Sequence, residues 1–514
     1  MTVTLYRNGV VRTPEPAGAT ALLVDGGSLA WVGRDPDRHV AHTPRTVDLA
    51  GALVTAAFVD AHVHTTSTGL ALTGLDLTAA TSLADCLRRV EDAARRARGG
   101  IVLGHGWDET PWPEHRPPTR HELDRASYGG VVYLSRVDVH SAVVSSALLA
   151  TVPEVRAEEG WDESGHLTRA AHHVVRRVSR ESVSPAQRRS LQAHALRHAA
   201  SLGIGCIHEL AGPDISSVED LAALVDLTQE EHLPEVVPYW GELGADGIVR
   251  ARDLAAAGAA GDLFADGSIG SHTAALRQPY ADASHAGHAY LTATQVRDHV
   301  VACSQARLQA GFHAIGDGAL DTVAAGLAEA AERIGDEAVR AARHRIEHVE
   351  MVSREVTGVL ARLGVVASVQ PAFDRLWGGE NGMYAQRLGV ERARGLNPLR
   401  SLSEAGVVLA FGSDSPVTPL DPWGSVRAAV SHRTPGAGLE MDEAFRAHTA
   451  GGWWAARRDG EGVLRAGSPA TFAVWEVGAA DVEDLDVRTG LPTVEGPVPR
   501  CRETVVRGRP VFAS

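Results

Sequence analysis

Residues 49–69 read LAGALVTAAFVDAHVHTTSTG, a small-residue apolar run that ends in two histidines one residue apart. The run reads as a β-strand, and alternation along a strand sends residues i and i+2 to the same face. His62 and His64 therefore leave the strand end side by side, either as half of a metal site or as two solvated turn histidines. In a chain with 24 His, such a pair decides nothing alone.

Outward from this run, similar stretches recur: GIGCIHE (203–209), EVVPYWGE (235–242), DLFADG (262–267), AGFHAIGD (310–317), RHRIEHVE (343–350), GVVASVQP (364–371) and GVVLAFGSD (406–414). With the first run they make eight candidate strands, most of them separated by helical patterns. Ser184-Pro185 opens one such helix with an N-cap and an N1 proline, and Gly203 closes it. Eight βα units predict an α/β protein built on a (β/α)8 barrel. The wide gap after the first strand predicts an insertion at about 68–200, in which Thr119 and Glu122 form a capping box. Both chain ends read as short strands with turns at Asn8-Gly9 and Gly26-Gly27. Neither end buries a core alone, so residues 1–54 and 462–514 are expected to meet in one small β-sandwich, leaving 55–461 to the barrel.

Composition sets the class. The chain has 514 residues, with a 44% hydrophobic and 22% charged share that is ordinary for a soluble globular protein. A net charge of −15 argues against nucleic-acid or anionic-membrane partners. The Arg-rich stretches at 88–100 and 172–190 read as solvated helix faces with acids nearby. Cys86, Cys206, Cys303 and Cys501 are scattered, which fits a reducing compartment. No signal-peptide pattern or apolar span is evident, so a cytoplasmic protein is expected. All 49 basic residues of the Lys+Arg count are arginine; the chain contains no lysine.

The functional groups of such barrels sit at the C-terminal strand ends. There the sequence places His62, His64, Glu209, Asp262 or Asp266, His313, His348 and Asp414. Imidazole and carboxylate are the common zinc ligands when cysteine is absent. Singly, each has a plainer reading: His313 and His348 as hydrogen-bonded core residues, Asp414 and Asp266 as turn acids. His105, His140, His208 and His272 read individually as packing or hydrogen-bonding residues.

The ordered set FVDAHVH (58–64), GHGWDETPW (104–112), PTRHELD (118–124), YLSRVDVHSAVVSSAL (133–148), LFADGSIGSHTAALRQPY (263–280), HAIGDGALD (313–321), RHRIEHVE, ASVQP (367–371) and FGSDSPV (411–417) resembles the amidohydrolase superfamily, in its amidohydrolase-3 branch of YtcJ-like proteins and N-substituted formamide deformylases. The resemblance implies one or two Zn²⁺ held by His62, His64, His313, His348 and Asp414, with Asp414 also shuttling a proton. It aligns Asp262 with a lysine that the family carboxylates to bridge two metals, and here the chain departs from the pattern. Either Asp262 bridges directly, with Glu209 as a possible helper, or one metal sits on His62, His64, His313 and Asp414 while His348 hydrogen-bonds the hydroxide. Trp107, Trp112, Arg136, Asp138 and His140 match the family's substrate cover, and His272 is a further candidate contact. The implied activity is hydrolysis of a C–N bond in an amide, formamide or cyclic amide, on a small-molecule substrate. A heterocycle deaminase and a barrel without activity are the alternatives, and a homodimer accords with the family. No serine-hydrolase elbow or H-E-x-x-H motif occurs.

Overall fold

The computed structural model describes residues 3–14, 18–36, 44–476 and 490–514; parts of both terminal spans therefore lie outside the described residues. Its centre is a sheet of eight parallel strands: β1 (Phe58–Val63), β2 (Ile204–Ala211), β3 (Glu235–Trp240), β4 (Gly258–Ala259), β5 (Gln309–Ala314), β6 (Arg345–His348), β7 (Val366–Val369) and β8 (Leu409–Phe411). They lie in sequence order, and backbone bonds from Asp414 N to His62 O (2.8 Å) and from His64 N to Ser415 O (2.9 Å) close β8 onto β1. The chain is a (β/α)8 barrel, as its strand spacing predicts. The closing strands approach so nearly that a Cβ on Gly412 would stand 2.6 Å from His62 N.

Two strand readings need correction. The opening run is two strands, not one: Leu53–Ala56 pairs antiparallel with Phe472–Glu476, and only Phe58–Val63 enters the barrel. DLFADG is not the fourth strand itself, because β4 ends at Ala259 and the chain breaks at Gly261, with φ +106°. A side chain at Gly261 would also meet Leu210 Cδ1 at 2.7 Å. The break lets Leu263 and Ala265 bond to His313 on β5 and drops Asp262 into the barrel mouth.

The chain ends form a β-sandwich of a four-stranded and a five-stranded sheet, joined by contacts such as the edge-to-face pair Tyr6–Phe472. Gly26-Gly27 turns a true hairpin, whereas Asn8-Gly9 passes the chain from one sheet to the other. Between β1 and β2, a five-stranded sheet runs from Leu75 to Thr168, with the Thr119–Glu122 capping box heading helix Arg120–Ala126. Helix Pro185–Ser201, capped by Ser184 and Gln187, then leads into β2.

The Arg-rich helices divide. On Leu83–Ala97 and Pro185–Ser201 the arginines pair with acids, as in Arg95–Glu91 and Arg188–Asp220. On Arg169–Glu181, Arg176 is buried together with Ala171, Val175 and Ser179, so that face is not solvated. The four cysteines are buried and free, and among the described residues no helix is long and apolar enough to cross a membrane.

Candidate metal centre

Alternation along β1 turns Asp60, His62 and His64 inward together. Asp60 Oδ1 accepts from Ser413 N at 2.8 Å and so ties β1 to the β8 loop that carries Asp414. His62 Nδ1 donates to Glu347 Oε2 at 3.0 Å, and His64 Nδ1 donates to the Leu210 carbonyl at 3.1 Å. His348 Nδ1 meets Gln370 Oε1 at 2.9 Å. Each contact fixes the tautomer that leaves the Nε2 lone pair facing the barrel mouth.

Two carboxylates stand among these lone pairs. Asp262 lies 3.1 Å from His64, 3.5 Å from His62 and 3.9 Å from His348, measured to Nε2. Asp414 Oδ1 lies 3.3 Å from His62 Nε2 and 3.2 Å from His64 Nε2. Burial alone would suppress charge on both sides, but mutual attraction outweighs it. The carboxylates of Asp262 and Asp414 are held well below the usual range, and the His62 and His64 pKa values are raised. His348 is lowered to about 4 by burial and by His313. Its neutral ring turns Nε2 toward the same space as His62 and Asp414.

The residues fit a divalent cation. His62 Nε2, Asp262 Oδ1 and His313 Nε2 are buried polar atoms with no hydrogen-bond partner, an arrangement that costs free energy unless something occupies the space between them. Two donor triads result, His62–His64–Asp262 and His62–His348–Asp414. His313 stands outside both, its ring centroid 4.4 Å from His348 and its Nδ1 3.4 Å from Asp266 Oδ1. Asp266 itself accepts from the amides of Ala275, Ile315 and Gly316, so it shapes the loop and is not a ligand.

Asp262 faces His62, His64 and His348 from the loop after β4. The break at Gly261 compensates for its short side chain. Glu209 is engaged elsewhere, where its carboxylate accepts from the amide and hydroxyl of Thr65 at the start of helix Thr65–Thr73.

The sequence model of the amidohydrolase family matches residues 45–512. The chain belongs to the amidohydrolase family. It is thus an enzyme of the class that hydrolyses carbon–nitrogen bonds other than peptide bonds. Putative amidohydrolase YtcJ of Bacillus subtilis (strain 168) is 24% identical over 479 residues, covering 87% of this chain and 88% of the relative. N-substituted formamide deformylase of Arthrobacter pascens is 26% identical over 531 residues, covering 94% of each. An uncharacterised metal-dependent hydrolase from Pyrococcus furiosus superposes with a TM-score of 0.71 at 26% identity, over 92% of this chain and 98% of that one.

The amidohydrolase's insertion distributes its expected substrate contacts unevenly. Trp107 and Trp112 are fully buried in the core of the insertion and donate to the carbonyls of Leu134 and Ala80, so they pack and do not line a wall. Arg136 is saturated by Glu109, Asp138 and Asp108, which leaves it nothing for an anionic substrate. Asp138 in turn accepts from Ser268 and Ser271, fastening the insertion to the loop after Asp262. His272 is turned to Asp282 near the surface. Only His140 reaches the centre, with its ring 5.2 Å from His313 and its pKa lowered to about 3 by burial and by His313.

Sequence reading missed two amidohydrolase features. Arg345 and Glu347 form a buried pair beneath the site, with Arg345 also over the Tyr239 ring at 4.6 Å. The HRIEH motif contains both, but only the barrel brings Glu347 to His62. His348 would point away from Glu347 by alternation, yet a left-handed φ of +74° swings it back into the mouth. No sequence signal marks that turn.

Proposed function

We propose that this amidohydrolase is a zinc-dependent enzyme that cleaves the C–N bond of an amide, formamide or cyclic amide, with Asp414 carrying the proton. One observation supports this above the others: three imidazole Nε2 atoms and two carboxylates converge in a buried barrel mouth. His62, His64, His348, Asp262 and Asp414 would hold the metal, with His313 beside them. Bound zinc supplies a water of pKa about 7 and a Lewis acid for the substrate carbonyl.

The chain's own residues do the rest. Asp414 is ionised and lies at the mouth, so it accepts the water proton and returns it to the leaving nitrogen. Glu347 and the Leu210 carbonyl hold the two β1 imidazoles in the required tautomer. Complete ligands and supports in one place argue against an inactive barrel. Four buried free cysteines support a reducing, cytoplasmic setting.

The test combines metal analysis of chelator-free protein with a panel of formamides, amides and cyclic amides. About one or two zinc per chain and amine release are expected, and Asp414→Asn should abolish turnover while leaving the fold intact. Metal content far below stoichiometric, or wild-type turnover in Asp414→Asn, overturns the proposal. Ammonia release from heterocycles instead of amine release would establish the deaminase.

A further inference from the structure

Helix Arg169–Glu181 carries Arg176 and Arg180 one turn apart on the same face. Arg176 is 6% exposed and Arg180 half-buried, yet neither guanidinium has a hydrogen-bond or ion-pair partner among the described residues. That is an unusual state for buried arginine, which the fold otherwise saturates, as at Arg136 and Arg345. Burial and the neighbouring Arg176 charge push the Arg180 pKa down to about 9. The acids that act on Arg180 from a distance, Glu209 and Asp220, are already engaged by Thr65 and by Arg188 and Thr66.

Both guanidiniums open onto space. Arg180 lines a cavity of about 430 Å³ together with His64 and Glu209. Arg176 and Arg180 together line the adjoining hollow, with Tyr133, Ser135 and Pro416, next to the β8 loop that carries Asp414. Leu70, Ser67 and Arg180 border both spaces, so the hollow that holds both arginines adjoins the cavity that reaches His64. The cavity of about 430 Å³ is large enough for a small organic ligand, and the hollow of about 70 Å³ that both arginines line holds no more than a single small group such as an oxyanion.

We propose that Arg176 and Arg180 form a subsite for an oxyanion on the substrate, remote from the scissile C–N bond, so that the enzyme prefers anionic amides. The proposal rests on the hydrolase reading for what is cleaved, but the subsite itself does not. Planar guanidiniums bind carboxylate or phosphate oxygens through charge-assisted hydrogen bonds. The oxyanion would supply the hydrogen-bond acceptor that both guanidiniums lack among the described residues, on the side of the hollow away from the carboxylates of the larger cavity, Glu181, Glu209, Asp214, Glu219 and Asp220. Pairing at this subsite orients the substrate, and the distance from the arginines to His64 on the wall of the larger cavity sets the span between anion and carbonyl.

Calorimetric titration of the zinc-loaded enzyme with hexanoate, hexyl phosphate and hexanamide tests this directly. An anion should bind at least about tenfold tighter than hexanamide, as charge-assisted pairing requires. The ratio of hexanoate to hexyl phosphate affinity tells carboxylate from phosphate substrates. In Arg176→Gln/Arg180→Gln the anion preference should vanish, with hexanamide affinity unchanged and the melting temperature equal or higher, because no hydrogen bond or ion pair is lost and the charge repulsion between the two is relieved. Equal binding of hexanoate, hexyl phosphate and hexanamide overturns the subsite. So does an anion preference that survives the double substitution, since the anion would then sit on the metal. A lower melting temperature in the variant would show that the pair supports the fold instead. Because heat and not turnover is read, an inactive enzyme that still selects anions overturns the hydrolase reading alone, whereas an active one indifferent to charge overturns the subsite alone.

Discussion

Glu347 shows how much of this site rests on residues that need never touch a ligand. Its carboxylate takes the Nδ1 proton of His62 and two guanidinium nitrogens of Arg345, and it is fully buried. Without the negative charge, His62 Nδ1 is left with a neutral acceptor at most, and Arg345 keeps Ser368, the Ala61 carbonyl, His208 and the Tyr239 ring. Glu347→Gln should therefore weaken zinc binding about 10- to 100-fold, read by competition with a chromogenic chelator. It should also lower stability, because a buried cation is left underpaired. Asp262→Ala separates the two donor triads. The triad His62–His348–Asp414 keeps its ligands while His62–His64–Asp262 loses its carboxylate. If two metals bind, elemental analysis should show the count fall by about one; an unchanged count would mean that Asp262 holds nothing.

Among the elements, the break after β4 carries the most consequence. Gly261 alone adopts φ +106° there, and a Cβ would press on Leu210, the residue whose carbonyl orients His64. Gly261→Ala is expected to displace both Asp262 and the His64 support, lowering zinc content and turnover together while the far sandwich stays folded. Helix Arg120–Ala126 offers a pH-dependent counterpart. Glu122 has its pKa lowered to about 2, first by Arg116 and then by the Thr119 amide and hydroxyl, against 4.5 for the free side chain. A depressed carboxyl adds stability above pH 4.5 that is lost as pH falls toward 2. Arg116 is 46% exposed, so screening limits the effect to about 1 kcal/mol. Glu122→Gln should flatten that part of the acid limb in a melting-temperature profile.

At the scale of the molecule, what was legible in the sequence follows from the range of the interactions. The barrel, the capping box at Thr119, the N-cap at Ser184 and the β1 histidine pair depend on spacing along the chain, and they are where the sequence puts them. The Glu347–His62 bond spans 285 positions, and the burial of Arg176 depends on which face of its helix meets the insertion; neither leaves a local pattern. The same reasoning explains why Trp107 and Arg136 suggested a pocket wall but pack inside the insertion: composition names a residue's chemistry and only the fold names its neighbours.

The link between insertion and barrel belongs to this scale too. Asp138 takes hydrogen bonds from Ser268 and Ser271 on the barrel side and holds Arg136 on the insertion side, all within 3.0 Å. Asp138→Ala would take the carboxylate acceptor from both hydroxyls, leaving Ser271 with Ser141 and Ser268 with the Ser271 amide, while Arg136 keeps Glu109 and Asp108. The expected cost is about 2 kcal/mol, below that of an uncompensated buried charge. Since Ser268 and Ser271 lie in the loop that follows Asp262, the variant should loosen cover and site together. Limited proteolysis should then cut the insertion faster, and zinc should dissociate sooner. Faster cutting with unchanged zinc release would mean that the clamp secures the cover alone.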